Sequence, residues 1–276
     1  MGFSMSKIIG EAIVVIGGGV NPPSASTIAQ SGVTYTDGLS GLEPSDISLI
    51  AQTISNNSQI AYTTKTVYYD YKKIHRKISI ADQVTIQLNG TDYAFDVIGF
   101  NHDTLTTANV YGDNTATGKA GITFQMHNCF ATTNVMNYSS TNSGGWKSSA
   151  MRTSTMVTMK GYLPTAWQTA IKPVNKSSGL GGGSSSGTET VSDGCFLLSE
   201  IEIFGSTTYS VSGEGTQYEY YKAGGSKVKS QGGSYYYWWE RSPRTGNSRI
   251  FCCVNNGNAS SNGAAVGNGV AFAFCI

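Results

Sequence analysis

Five cysteines are the residues of this chain whose type most directly suggests chemistry. They are odd in number and lack the repeated short spacing of a zinc site or a disulfide framework: Cys129, Cys195, Cys252, Cys253 and Cys275. Adjacent cysteines rarely form a sound disulfide, and only Arg249 lies close enough in sequence to activate the Cys252-Cys253 pair. We therefore expect free, buried thiols.

Histidines and carboxylates offer little more. His102-Asp103 and His127 with Cys129 are the only pairs that suggest zinc, and hydrogen-bonded loop or core histidines are the more usual outcome. Glu200 and Glu202 are predicted to lie on one solvated strand face. We expect no catalytic residue, no metal and no cofactor. Calcium stays open because no acidic cluster has an obvious ligand spacing.

Three glycine-rich motifs imitate functional loops. "IGGGVNPPS" (16–24) lacks the dinucleotide-binding spacing, and its prolines would break the helix that must follow. "GDNTATGKA" (112–120) has one residue too many for a phosphate loop and no hydroxyl to hold magnesium. "GSSSG" (183–187) has no preceding strand to form a nucleophile elbow. None of the three predicts an enzyme.

The composition limits the possible partners. A formal net charge of +1 gives no electrostatic basis for binding nucleic acid or an anionic membrane. The chain is only 13% charged and rich in Gly, Ser, Thr and Asn, as in extracellular or virion β-rich proteins. The apolar run near the N-terminus is interrupted by Glu11 and is too short to cross a bilayer, so we expect no membrane insertion and no signal peptide.

Residues 1–60 are predicted to form a small docking segment. "AIVVI" (12–16) is typical of a strand. Ser45 is a candidate cap for a helix whose apolar positions are Ile47, Leu49, Ile50 and Ile54. The segment has too few core residues to fold alone, so we expect it to bury these side chains against other chains.

Residues 61–276 are predicted to form an α+β domain. Asn89-Gly90 divides the alternating run 84–100, which is a strong hairpin signal. The remaining predictions follow the chain: a buried strand or short helix at 120–130, a helix from Trp146 ended by Gly161, a second helix after Pro164, a loop at 175–192, and strands at 195–204 and 218–222.

"WWERSP" (238–243) resembles the W-W-x-R-S-P signature of a domain of unknown function common in gut bacteria and their prophages. The match extends upstream through "DVIGFNHD" (96–103), "GKAGITFQMHNC" (118–129), "NSGGWKSSAMR" (142–152) and "FLLSEIEIFG" (196–205). The resemblance implies a C-type-lectin-like fold of the formylglycine-generating-enzyme branch. Some similar proteins are targets of diversity-generating retroelements, and many are phage tail components.

In such proteins a C-terminal segment varies because adenines in A-A-pyrimidine codons are randomised. These codons cannot become Lys, Glu, Gln, Met or Trp codons. None of these five residue types occurs between Arg241 and Ile276, although they make up roughly one residue in six before it. The resemblance therefore implies a variable segment at about 244–268.

The resemblance also implies a division between scaffold and binding face. The scaffold residues would be Trp238, Trp239, Arg241, Ser242 and Phe272. The exposed ligand-binding residues would be Asn247, Ser248, Arg249, Ile250, Cys253, Asn255, Ser260, Ser261, Asn262, Ala264, Ala265 and Val266. "VAFAFCI" (270–276) would be the closing strand.

The function that the resemblance implies is non-enzymatic binding. The chain would be a phage tail or virion adhesin, made in the bacterial cytoplasm, that contacts a bacterial surface receptor such as a protein, a glycan or teichoic acid. It would form a homotrimer and dock on other tail proteins through residues 1–60. Two alternatives are a purely structural tail protein and an enzyme of the formylglycine-generating type.

Overall fold

The computed structural model describes residues 24–107 and 118–276, and the strand predicted at 12–16 lies outside them. In these residues short helices pack on mainly antiparallel sheets, so the predicted α+β class is confirmed. No helix of the described part is long and apolar enough to cross a membrane.

A small sheet lies at the N-terminal end of the described chain. It has the order β1-β3-β4-β2, with β2 parallel to β4; the strands are β1 (Ser24–Ser26), β2 (Thr36–Asp37), β3 (Thr66–Tyr71) and β4 (Ile74–Ser79). Helix α1 (Pro44–Ser55) follows β2. Its N-cap is Glu43, not the predicted Ser45, because Pro44 already occupies the first helical position.

Helix α1 packs on the chain that follows it. Ile47, Ile50 and Ile54 are buried, whereas Leu49, predicted with them, is exposed. The Asn101 amide donates to the carbonyl oxygens of Ile54 (2.9 Å) and Ile60 (2.8 Å). The apolar face that we expected to be buried by other chains is therefore covered by the chain's own core. The trimer stays a prediction.

The main sheet has five strands in the order β10-β16-β7-β6-β5. They are β5 (Gln83–Leu88), β6 (Thr91–Phe100), β7 (Ile122–Met126), β10 (Cys195–Phe196) and β16 (Ala273–Cys275). The Asn89-Gly90 hairpin is confirmed, with φ values of 49° and 82°. The C-terminal strand β16 lies between β10 and β7. The ring centroids of Phe272 and Phe274 each lie 5.5 Å from that of Phe95.

The helical predictions after Trp146 are confirmed in outline. The segment comprises α2 (Gly145–Ser148), a π-helical turn (Met151–Thr155) and α3 (Met156–Tyr162), and α4 (Thr165–Ala170) follows Pro164. Gly161 lies inside α3 and does not end it. The helix ends at Tyr162 because Leu163 precedes Pro164 and is extended, the conformation that proline favours in the residue before it.

Three other predictions are wrong. Residues 175–192 are not a loop, since β8 (Val174–Gly179) and β9 (Thr188–Asp193) pair as a hairpin around a shorter connection. The predicted strand 195–204 contains only β10 and then α5 (Glu200–Phe204), because Ser199 and Glu202 form a capping box that starts a helix. The predicted strand 218–222 is helix α6 (Glu219–Lys222).

The last sheet follows the aromatic stretch. A hairpin of β11 (Lys229–Gln231) and β12 (Ser234–Tyr236) precedes it. The sheet itself has the order β13-β14-β15 and consists of β13 (Trp238–Pro243), β14 (Ile250–Asn255) and β15 (Asn258–Gly263). The Gly- and Asn-rich tract 254–269 is therefore ordered, and half of it belongs to a sheet.

Two glycine substitutions test how closely α1 packs against the backbone at Gly121. A Cβ atom on Gly121 would lie 1.9 Å from the Ala51 carbonyl oxygen of α1, whereas a Cβ atom on Gly161 would meet nothing within 4 Å. We expect Gly121→Ala to lower the free energy of unfolding by about 1–3 kcal/mol or more. Gly161→Ala should raise it by about 0.5–1 kcal/mol. Urea unfolding measures both, and equal effects would contradict the packing described.

Candidate ligand-display surface

Strand β13 anchors the last sheet in the core. Trp238 and Trp239 are at most 1% exposed, and the indole of Trp239 donates to the Asn134 carbonyl oxygen at 2.7 Å. Arg241, Ser242 and Phe272 are also fully buried. All five residues predicted as scaffold thus lie inside the protein.

Arg241 uses its whole guanidinium group for hydrogen bonds within the core. Its Nε donates to the Ser177 carbonyl oxygen (3.0 Å) and its terminal nitrogens donate to the carbonyl oxygens of Leu197 (3.0 Å) and Glu214 (2.6 Å). The same nitrogens bind both carboxylate oxygens of Glu202. One side chain therefore holds β13, β8, the segment after β10 and helix α5 together.

A chain of buried charges extends from this pair. The Lys176 ammonium donates to Glu202 and to Asp103, both at 2.7 Å, and the Tyr218 hydroxyl donates to Asp103 at 2.8 Å. Burial disfavours ionised Asp103, but Lys176 and His102 outweigh burial and hold its pKa well below the usual range. Arg241 and Lys176 likewise lower the pKa of Glu202. The solvated strand face predicted for Glu202 is therefore wrong.

Three further acids lie buried beside the network. Glu200, also predicted to be solvated, accepts hydrogen bonds from both the amide (2.8 Å) and the hydroxyl (2.7 Å) of Ser210. Burial raises the pKa of Glu214 to about 7, although Ser242 donates to its carboxylate. Neither oxygen of Glu240 has a hydrogen-bond partner in the described part of the chain. Burial, and then Glu200 and Glu214, raise the pKa of Glu240 well above its usual range.

The five cysteines are free and buried, as predicted. Burial raises the pKa of Cys253 to about 12 and holds that of Cys252 well above its usual range, which opposes the thiolate that a nucleophile or redox centre needs. His127 contacts Asp96 (3.0 Å) and His102 contacts the Thr216 carbonyl oxygen (3.0 Å). Within residues 24–107 and 118–276, no three His, Cys, Asp or Glu residues are grouped to hold a metal.

The predicted binding residues divide into three groups by exposure. Four are exposed and six are half-buried, and we name these ten residues the display surface: Ser248, Arg249, Ala265 and Val266, with Asn247, Ile250, Asn255, Ser260, Ser261 and Asn262. Cys253 and Ala264 are fully buried, so their predicted exposure is wrong. Cys253 lies on β14, which has a strand on each side, and Ala264 follows directly after the edge strand.

The sequence prediction missed a neighbour of this surface. Segment 132–138 runs beside the end of the display surface: Asn134 pairs with Asn268, and the Asn137 amide donates to the Ala264 carbonyl oxygen at 2.9 Å. Tyr138, which follows Asn137, is 79% exposed. A large exposed aromatic residue thus follows directly after the residue that bonds to Ala264, and no sequence pattern relates segments so far apart.

A pair of arginine substitutions tests the buried anchor, by which we mean Arg241 and its hydrogen bonds in the core. Lysine cannot reproduce the planar set of donors at Arg241, and Glu202 would lose its bidentate partner. We expect Arg241→Lys to lower the free energy of unfolding by about 3–5 kcal/mol, as when a buried ion pair is broken. Arg249→Lys, on the exposed surface, should change it by no more than about 0.5 kcal/mol. Similar unfolding curves for the two variants would contradict the stabilising role of Arg241.

The raised pKa values of Glu214 and Glu240 predict a stability that declines as pH rises. Glu214 is protonated in the fold at a pH where it ionises in the unfolded chain. Its contribution, on the order of 3 kcal/mol, is present below about pH 4.5 and is lost as pH rises through about 7. Glu240, whose pKa burial also raises, adds to the decline.

Glu240→Gln should therefore raise the melting temperature at pH 8 and flatten its dependence on pH between 5 and 8. Glu189→Gln is the control, because Glu189 binds Lys147 at the surface (3.0 Å). If Glu240→Gln lowers stability at pH 8, the ionisation of Glu240 is not what destabilises the fold at high pH.

Comparisons with known proteins add a family. Searches with the chain found no match among curated proteins and none among solved structures. One family model, described as "Domain of unknown function (DUF6273)", matches residues 120–276, which is more than half of the chain and includes the anchor, the display surface and Tyr138. The chain therefore belongs to this family of domains of unknown function.

Proposed function

We propose that the chain is a non-enzymatic receptor-binding protein of a phage tail or virion. Its C-type-lectin-like domain presents the display surface to a bacterial surface receptor, and a diversity-generating retroelement varies the segment 244–268. The lack of Lys, Glu, Gln, Met and Trp after residue 240 supports this origin of the segment.

The observation that carries the proposal is the contrast between the two edges of the last sheet. At one edge, strand β13 holds fully buried Trp239 and Arg241, whose polar groups are bonded to distant parts of the chain, and β15 forms the opposite edge. At its surface lie small, mostly uncharged side chains on an ordered hairpin and its flanking turns. Such a surface can change its side chains without disturbing what holds the fold.

The alternative enzyme finds no support at its only candidate residues. A catalytic cysteine needs an accessible thiol with a low pKa, and Cys252 and Cys253 are both buried with raised pKa values. The other alternative is a purely structural tail protein, and the binding experiment described below distinguishes it from an adhesin.

Assembly is the second part of the proposal. Small side chains make weak individual contacts, and a homotrimer that docks on other tail proteins through residues 1–60 would offset this by avidity. Light scattering on the full chain should give the mass of a trimer. A monomer in dilute solution would contradict it.

The display surface is tested by binding of labelled protein to intact gut bacterial cells of a defined strain panel. We expect the double change Arg249→Glu and Val266→Asp to change which strains are bound, with the melting temperature nearly unchanged, because both residues are exposed. Ile74→Asp is the control, since Ile74 is an exposed apolar residue of the N-terminal sheet.

Trp239→Ala gives the opposite signature. Truncating this buried indole should cost about 3–5 kcal/mol of stability. If cell binding survives the display-surface change and is lost in Ile74→Asp, the display surface is misplaced. If no strain is bound by any form of the protein, the structural alternative is favoured.

A further inference from the structure

A cavity of about 180 Å³ opens beside the display surface, between segment 130–138 and the helical segment 151–162. Its volume is that of about six waters, which suits a single small ring more than an extended chain. Phe130, Tyr138 and Tyr162 supply aromatic surface, and Thr132, Asn134 and residues of the π-helical turn and α3 supply polar groups. None of the lining residues carries a charge.

Ser154 and Thr158, which line this open cavity, are exposed to solvent, so their hydroxyl groups are accessible to a ligand. Helical Ser and Thr side chains commonly donate to the carbonyl four residues back, as Thr153 does to Ser149 (2.9 Å). The cavity-lining hydroxyls of Ser154, Thr155 and Thr158 make no such bond within the part of the chain that the structure describes. They lie on the π-helical turn and on the first turns of α3, an irregularity frequent at functional sites.

The aromatic side of the cavity is rigid. Phe130 stacks between Tyr93 (5.4 Å) and Tyr162 (5.9 Å). Tyr138 is held by its neighbour Asn137, whose side chain accepts from the Ala150 amide (2.9 Å) and donates to the Thr141 carbonyl oxygen (2.7 Å). The backbone of Tyr138 is therefore fixed, and only its side-chain torsions must be ordered when the ring packs on a ligand.

The cavity and the display surface are related through segment 132–138. Val266 is exposed, and a Cβ atom on the next residue, Gly267, would lie 2.9 Å from the Thr133 hydroxyl. Asn134, which lines the cavity, pairs with Asn268. Segment 132–138 therefore lines the cavity and also borders the end of the display surface.

We propose that this cavity is a subsite for one ring of a neutral saccharide. A sugar ring presents hydroxyls to the Ser and Thr side chains and to Asn134, and an apolar C–H face to Tyr138. Without a cation, the cavity gives a phosphate or a carboxylate no counter-charge. The proposal rests on the binding function proposed above and names its ligand class: an uncharged glycan, with fixed recognition in the cavity and variable recognition beside it.

Saturation-transfer NMR on the full chain tests the proposal. The probes are methyl glucoside, methyl mannoside, methyl galactoside and N-acetylglucosamine at millimolar concentration. Glucuronate and inorganic phosphate are the anionic controls, and N-acetyltyrosinamide represents a protein side chain. We expect transfer to at least one neutral sugar and none to the anions.

Two substitutions with matched controls locate the binding. Thr158→Leu should fill the cavity and abolish transfer, whereas Val157→Leu, next to it on α3 but exposed and outside the cavity lining, should not. Tyr138→Ala should weaken binding about tenfold, the loss of one aromatic contact. Tyr235→Ala, an exposed tyrosine elsewhere, should leave it unchanged.

The outcomes separate the two proposals. If no neutral sugar shows transfer, if only N-acetyltyrosinamide does, or if Thr158→Leu leaves sugar transfer intact, the saccharide subsite is overturned. Strain binding that still depends on Arg249 and Val266 would then uphold the display surface alone. In the opposite case, Thr158→Leu abolishes sugar transfer, but strain binding does not depend on Arg249 and Val266. That result would uphold the saccharide subsite and overturn the display surface.

Discussion

The buried guanidinium of Arg241 is the interaction on which the rest of the structure depends. It joins β13 to β8 and α5, and through Glu202 it stabilises the charges of Lys176 and Asp103. Buried charges stabilise a fold only if every partner is in place, so this network favours one arrangement over loosely packed alternatives. The Gly- and Asn-rich tract 254–269 is ordered because it follows strand β13, which the hydrogen bonds of Arg241 hold in the core.

The sequence predicted the local features well. Asn89-Gly90 specified a hairpin because it supplies two positive φ angles, and the paired tryptophans of β13 were correctly placed in the core. It failed for Glu200 and Glu202, since alternation in a short run is also compatible with one helical turn. The capping box of Ser199 and Glu202 was the signal that could have corrected this.

Other features had no local signal. Arg241, Lys176 and Asp103 are far apart in the chain, and only the folded topology brings their charges together. Composition misled at 175–192, where Ser177 and Thr190 hydroxyls pair across a hairpin at 2.7 Å. Exposure in the last sheet also depends on which strand is central, which is why Cys253 on β14 is buried while most residues of the neighbouring strand β15 are half-buried.

The edge position of β15 has a consequence for how its sequence can change. In the described residues this strand pairs with β14 on one side only, so its other backbone edge is open to further strands. Its present residues, Asn258–Gly263, are small and polar and form β-ladders poorly. Substitution of Val, Ile or Phe there would create an edge that pairs readily with another copy of the chain, so self-aggregation limits which sequences this strand can carry.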